Sequence, residues 1–444
     1  MSKVIEKVVS SQLQNHLSDN SFHEAFQSAY KKGHSTETAL LRVQNDILRA
    51  VDSGQGACLV LLDLSAAFDT IDHEILLSSM NSQLGVKGTA LQWFRSYLNN
   101  HIQSVIVNNV VSSPSPLKFG VPQGSVLGPL LFCTYMIPLG DIIRKHGMMF
   151  HIYADDTQIY CFFNAKIPST ADLALDKMRA CIKQIRAWMI QSRLKLNDDK
   201  TEFIVLSSPH YQKTFNNLVI QIGEADVKST SKVRNLGVLF DSSLNMKDQV
   251  SAVCKSSIFQ LRMIGAVRRY LTDDACAQLI HAFVTSRIDY CNSLLASLPQ
   301  SQYAKLQKLQ NIAARILSRT RKFDHITPVL IQLHWLPIPL RIHFKIILLT
   351  FKCVAGIGPS YLEDLLSFYC PTRSLRSSSK CLLQTVPAKM ATYGSRAFSI
   401  VAPQLWNSLP FNLRTAKSVE SFKIGLKTHL FQLFIANPSS FIMK

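Results

Sequence analysis

Three acidic residues carry the strongest chemical signal in this 444-residue chain. Asp63 closes the apolar run Cys58–Leu62, where an unpaired charge is costly. Asp155 and Asp156 stand side by side between two alternating stretches, where like charges repel. Met148, Phe150, Ile152 and Ala154 precede them, and Ile159, Cys161 and Phe163 follow. Taken singly, either site reads as solvated turn carboxylates. A cation shared between the sites accounts for both placements at once. Magnesium takes carboxylate oxygens together with substrate phosphates. Two such ions, about 3.5–4 Å apart, clamp the attacking and leaving oxygens of a phosphoryl transfer. Metal-assisted phosphoryl transfer is therefore the chemistry to expect.

Particular elements must position these acids. The run Cys58–Leu62 is short and unbroken, which predicts a buried strand ending at Asp63. The period-2 pattern over 148–163 predicts a hairpin with the two acids at its turn. Helical periodicity marks 1–17, 35–52, 70–84 and 171–190, and the polar, basic connector from Gln27 to Thr36 ends in a helix cap. Val105–Val111 reads as a strand, as do Glu202–Leu206 and Asn235–Phe240. From about 246 the pattern turns mainly helical. Over 247–270, Val250, Val253, Ile258, Leu261, Ile264 and Val267 define one face, while Lys247, Lys255, Arg262 and Arg269 recur every 7 or 8 residues. Residues 303–322 repeat the arrangement, with Leu306, Leu309, Ile312, Ala313 and Ile316 against Lys305, Lys308, Arg315 and Arg319. One such helix is an ordinary solvated face. Two of them with few compensating acids favour a polyanion. The expected class is α+β, with a basic, mainly helical second half beginning near 222–245.

Composition agrees with that division. Lys and Arg number 48 against 29 Asp and Glu, a net charge of +19. Residues 1–250 hold 24 basic against 22 acidic residues, and residues 251–444 hold 24 against 7, so nearly all the surplus lies in the second half. An anionic partner is implied, either nucleic acid or a membrane surface. With 47% hydrophobic residues the chain has ample material for ordered cores, which excludes a disordered tail. Lys3, Glu6, Lys7 and Asp19 exclude a secretory signal, and Pro122, Gly124, Gly128, Pro129 and Pro138 break the longest uncharged stretch, so no spanning helix is expected. The ten cysteines form no C-x-x-C pair, which fits a reducing intracellular setting, nucleus or cytoplasm. Cys276 and Cys291 read as buried thiols, and Trp335 and Trp406 as core anchors.

Four segments in order carry a family resemblance. Leu62-Asp63-Leu64-Ser65-Ala66-Ala67-Phe68-Asp69 resembles motif A of reverse transcriptases, and Gly120-Val121-Pro122-Gln123-Gly124-Ser125-Val126-Leu127-Gly128-Pro129 resembles motif B. Tyr153-Ala154-Asp155-Asp156 resembles motif C, and Leu196-Asn197-Asp198-Asp199-Lys200-Thr201-Glu202 resembles motif D. Asn235-Leu236-Gly237-Val238 looks like a primer-grip strand. The wording of motifs A and B is similar to LINE-type, non-LTR retrotransposons. His334-Trp335-Leu336-Pro337-Ile338, with Arg341-Ile342 after it, is similar to the C-terminal region of some of these, so the likeness covers nearly the whole chain. It implies a right-hand polymerase: fingers and palm over 1–222, primer grip and helical thumb over 223–320, and a C-terminal region over 321–444.

By that resemblance Asp63, Asp155 and Asp156 hold two Mg²⁺ ions, with Mn²⁺ as an alternative, and the Leu64 carbonyl is a further ligand. The implied partners are an RNA template, a DNA primer and deoxynucleoside triphosphates; no membrane or partner protein is implied. Phe68, five positions after Asp63, would exclude a 2′-hydroxyl, or else be a core aromatic. Gln123 would contact the nucleotide. Lys200 would protonate the pyrophosphate leaving group, or else pair with Asp198 or Asp199 on a surface turn. Lys31 and Lys32 stand where relatives carry an arginine on the triphosphate; lysine serves as a point charge without the bidentate fork. His34 reads as a structural loop residue. The basic residues of 247–319 named above would track the template–primer phosphates.

The resemblance leaves no room for an endonuclease domain or for a further finger strand ahead of Met1. The chain thus reads as a 5′-truncated element or a reading frame opened at an internal methionine. Two functions follow from this: an RNA-directed DNA polymerase, or an inactive remnant that only binds nucleic acid. An RNA-directed RNA polymerase is a more distant third.

Overall fold

The computed structural model describes residues 2–65, 67–99, 101–122, 124–370 and 381–441. They form two compact units that the chain does not visit in order. Met1–His34, Ala57–Val205 and Thr214–Thr230 make one; Ser35–Gly56, Leu206–Lys213 and Ser231–Lys444 make the other.

The first unit is built on a four-stranded sheet, ordered Glu202–Leu206, Gln55–Leu62, Asp156–Asn164, Met149–Tyr153. An interior strand covered on both faces has no polar side to show, which is why Cys58, Leu59 and Val60 run without a break and are fully buried. Helix Ser169–Gln191 lies against Asp156–Asn164 and Ile137–Lys145, burying Met178, Cys181, Ile182 and Ile185. Helix His73–Ser82 starts where the Asp72 carboxylate accepts the amides of Glu74 and Ile75 at 3.0 and 3.1 Å. Val105–Val111 is not one strand. Ile106–Val107 and Val110–Val111 pair with each other because Asn108 and Asn109 both take positive φ (49° and 63°) and reverse the chain.

In the second unit, helix Thr36–Asp52 opens with a capping box between Ser35 and Thr38. The expected strand over 235–240 is again a hairpin, Lys232–Asn235 against Val238–Asp241, turning through Leu236 and Gly237, both at positive φ. Lys247–Val267 packs on Gln300–Ser318. Val250, Leu261, Ile264, Leu306, Leu309 and Ala313 are buried on these helices, whereas Ile258, Val267 and Ile312 face solvent, so the apolar stripe is narrower than the sequence suggests. Further on, Phe351 stacks on Phe422 at 4.1 Å, with fully buried Trp406 beside them. Trp335, Cys276 and Cys291 are buried as expected.

Candidate active site

Asp63 follows directly on the strand Gln55–Leu62, and its carbonyl accepts the Asn197 amide at 2.9 Å. That bond and the Leu64–Leu196 pairing attach the segment carrying Lys200 to the segment carrying Asp63. The hairpin Met149–Tyr153/Asp156–Asn164 pairs Tyr153 with Asp156, leaving Ala154 and Asp155 as its two-residue turn. Ala154 sits at φ 57°, a left-handed conformation that costs a side-chain-bearing residue about 1 kcal/mol.

The electrostatics tie the three acids together. Desolvation, and then the charges of Asp155 and Asp63, push the Asp156 carboxyl up to about 6, with Lys200 pulling the other way. Asp155 is raised as well, by desolvation first and by Asp63 among its charged neighbours. One Asp63 carboxylate oxygen, Oδ2, is buried without a hydrogen-bond partner. Lys200 Nζ lies 3.2 Å from it, close enough for an ion pair but outside hydrogen-bonding direction. Lys200 therefore pairs with Asp63 and not with Asp198 or Asp199, which its sequence also allows; Asp198 instead binds Arg186.

These groups suit a divalent cation: hard oxygen donors, an Asp63 carboxylate oxygen without a hydrogen-bond donor, and Asp155 and Asp156 carboxyls whose proton affinity is raised by desolvation first and by neighbouring carboxylates second. Among the described residues no group of three or more His, Cys, Asp or Glu side chains is arranged to hold a metal ion by itself. Magnesium sites that rely on one or two carboxylates and on substrate phosphates do not need one.

The loops beside the acids are braced against each other. Val121 N donates to Phe68 O at 3.1 Å, Gly120 N to Ile71 O at 2.8 Å, and His73 Nε2 lies 2.7 Å from Gly120 O. Gly120, at φ 83°, comes so close to Asp69 that a Cβ would stand 3.0 Å from that residue's backbone. Phe68 is half-buried and stacks on Phe132, ring centroids 4.5 Å apart. Gln123 lies outside the described residues. Beyond it, the Glu6 carboxylate accepts the amides of Val126 (2.6 Å) and Leu127 (3.4 Å).

Lys31 is not free in solution. Its ammonium donates to Glu24 O at 2.6 Å, and burial pushes its pKa down to about 8. His34 Nδ1 lies 3.0 Å from Lys32 O, in keeping with a loop role. Lys247, Lys255, Arg262, Arg269, Lys305, Lys308 and Arg319 are exposed. Arg315 is not available in the same way, since its guanidinium donates to the carbonyls of Arg321 and Asp324 and so fastens the following loop. Phe259, Met263 and Tyr270 are exposed on the same stretch as Lys255, Arg262 and Arg269, and the Arg269 guanidinium lies 4.6 Å from the Tyr270 ring centre.

Sequence reasoning misses Glu6, His73 and Gln27. Each serves a loop through backbone groups distant in the chain, and a lone polar residue in a helix or connector carries no pattern that announces this. No helix of the described residues is long and apolar enough to cross a membrane.

Residues 1–240 match the family described as "Reverse transcriptase (RNA-dependent DNA polymerase)". The probable RNA-directed DNA polymerase from transposon BS of Drosophila melanogaster is 25% identical over 328 residues, covering 72% of this chain and 35% of that protein. The RNA-directed DNA polymerase from mobile element jockey of Drosophila funebris is 23% identical over 306 residues, covering 66% and 32%. The chain thus spans about a third of the length of these relatives. Among solved structures, a telomerase from Candida tropicalis, truncated from its C-terminal domain, aligns with a TM-score of 0.39 at 15% identity, over 53% of this chain and 44% of that one.

Proposed function

Because the chain belongs to the reverse transcriptase family, we propose that it is an RNA-directed DNA polymerase adding deoxynucleotides to a primer 3′ end. The LINE-type, non-LTR assignment and the right-hand polymerase fold stand with that membership. The observation that carries the proposal is the shared field of Asp63, Asp155 and Asp156, with Lys200 held against Asp63.

The family uses divalent metal ions. In this reading Asp63, Asp155 and Asp156 would hold two Mg²⁺ ions, with the Leu64 carbonyl as a further ligand. Bound there, the ions would stabilise charge on the attacking and leaving oxygens. The protein's own groups do the rest. Lys200, freed from Asp63, hands a proton to the departing pyrophosphate. Phe68, held against Phe132, lies under the sugar and leaves no room for a 2′-hydroxyl. Gln123, whose place in the fold lies outside the described residues, contacts the nucleotide. Lys31 supplies a point charge toward the triphosphate once it leaves the Glu24 carbonyl.

Template RNA and DNA primer are the macromolecular partners. The exposed basic residues of 247–319, Arg315 excepted, neutralise their phosphates, and Phe259, Met263 and Tyr270 offer apolar contact on the same stretch as those charges. The division into fingers and palm over 1–222, primer grip and thumb over 223–320 and a C-terminal region over 321–444 belongs to this proposal. So does an intracellular setting, which the ten free cysteines favour. The test is primer extension by the purified chain on a primed RNA template with deoxynucleotides and Mg²⁺. Extension is expected with the wild type and at least about a hundredfold less with Asp155→Asn, in line with losing a principal electrostatic group. No extension, or extension indifferent to Asp155→Asn, refutes the proposal.

A further inference from the structure

The hairpin that presents Asp155 and Asp156 is not held by its own strands alone. Residues 26–28 run beside Met149–Tyr153 as an added parallel segment: Ile152 N donates to Phe26 O at 2.8 Å, and Ser28 N to Ile152 O at 3.0 Å. Between these two bonds, Gln27 extends its side chain to the turn. Gln27 Oε1 accepts from Ala154 N at 3.1 Å and from Ala29 N at 2.9 Å, and Gln27 Nε2 donates to Ala154 O at 3.4 Å. The side chain therefore engages both backbone groups of one residue, and Gln27 is only 2% exposed.

That residue is the strained one. Ala154 holds φ 57° without being glycine. A backbone in such a well persists when the surroundings over-determine it, and a primary amide is the side chain that can accept from an N–H and donate to a C=O of the same residue. Burial strengthens the effect, because an amide withdrawn from water has no competing partner.

We infer that Gln27 is a positioning residue for the catalytic carboxylates: it locks the Ala154 backbone in the left-handed conformation and so fixes where Asp155 and Asp156 point. The inference rests on the polymerase reading above and deepens it. Without the amide, Ala154 relaxes toward negative φ, and the two acids that follow it turn away from Asp63. Apart from the Ala29 amide, which Gln27 also holds two residues before Lys31, the groups assigned to the substrate make no bond with this side chain. The loss therefore falls on the chemical step, and displacement of reacting groups by even about 1 Å costs up to roughly a hundredfold.

The experiment compares wild type, Gln27→Ala, Ala154→Gly and the double variant in primer extension on a primed RNA template. Hydrogen exchange of the segment 149–158 is followed alongside. Gln27→Ala is expected to lower kcat roughly ten- to a hundredfold, with KM for the deoxynucleotide changed less than about twofold. It should also speed exchange in 149–158. Glycine takes the left-handed conformation freely, so adding Ala154→Gly should recover most of the lost kcat. Gln27→Glu keeps the volume and the acceptor but loses the donor, and it carries the same comparison if the alanine variant does not fold. Unchanged kcat, or a loss that Ala154→Gly fails to relieve, overturns the inference while the polymerase reading stands on the wild type's activity. If the wild type itself extends nothing, the polymerase reading falls. The exchange measurement then decides the clamp, and unaltered protection of 149–158 in the Gln27 variants rules it out.

Discussion

Replacing Asp156 by asparagine should make the metal-free protein more stable at neutral pH while removing its activity. The Asp156 carboxyl is raised from its ordinary value of 3.8 to about 6. Its native state therefore holds a proton more tightly than its unfolded state. The carboxyl's contribution to stability is then greatest below about pH 4, falls as pH rises from roughly 4 to 6, and stays lower above that window. At about 1.4 kcal/mol per pH unit the full displacement corresponds to about 3 kcal/mol. Asp156 is more than a third exposed, so solvent screening reduces this to about 1 kcal/mol. The substitution Asp156→Asn removes the charge at nearly constant shape. Urea unfolding in EDTA at pH 8 should show that substitution more stable than wild type by about 1 kcal/mol. The difference should vanish below about pH 4, where the wild-type carboxyl is already protonated in both states. A variant that is equal to or weaker than wild type at pH 8, or a gain that persists unchanged in acid, refutes the reasoning that mutual repulsion and desolvation strain this site.

Two further outcomes follow from the site and the basic helices. Phe68→Ala should raise incorporation of ribonucleotides relative to deoxynucleotides by at least about tenfold, the scale of one removed steric contact, measured as the ratio of kcat/KM for the two substrates. Unaltered discrimination would leave Phe68 as a core aromatic stacked on Phe132. Neutralising Lys255 and Arg262 together should weaken binding to a primed RNA template and reduce the slope of log K against log salt by about 1.5 to 2, in filter-binding or anisotropy titrations. Neutralising Arg315, which is engaged with its own loop, should leave the slope nearly unaltered.

The acids and their carriers are legible in the sequence because both obey a local rule. A buried central strand shows an unbroken apolar run, and a half-buried hairpin shows period-2 alternation, so Cys58–Leu62 and 148–163 announce themselves. Two strand expectations fail for one reason. At Asn108-Asn109 and Leu236-Gly237 the backbone turns left-handed in two consecutive residues, and an apolar run that looks continuous folds back on itself. Asn-Asn is a readable turn signal, whereas leucine at the first such position is not. The pairing of Lys200 with Asp63 and the self-bracing of Arg315 are beyond reach, since both depend on which carboxylate or carbonyl the fold brings near. The same holds for Glu6 and Gln27, whose partners lie 120 and 127 positions further along the chain.

The Glu6 contact also sets an order of events during synthesis. Helix Ser2–Asp19 leaves the ribosome before the amides that the Glu6 carboxylate accepts, which lie at Val126 and Leu127. At about 5–20 residues per second, the intervening 120 residues take roughly 6 to 24 s to appear. Throughout that interval the acid lacks the amides that receive it in the fold, and at 18 residues the helix is close to the length at which isolated helices are marginal. The first unit therefore closes only when the chain from Val126 onward returns to this helix, and ribosome-bound intermediates that end before Val126 should leave helix Ser2–Asp19 open to proteases.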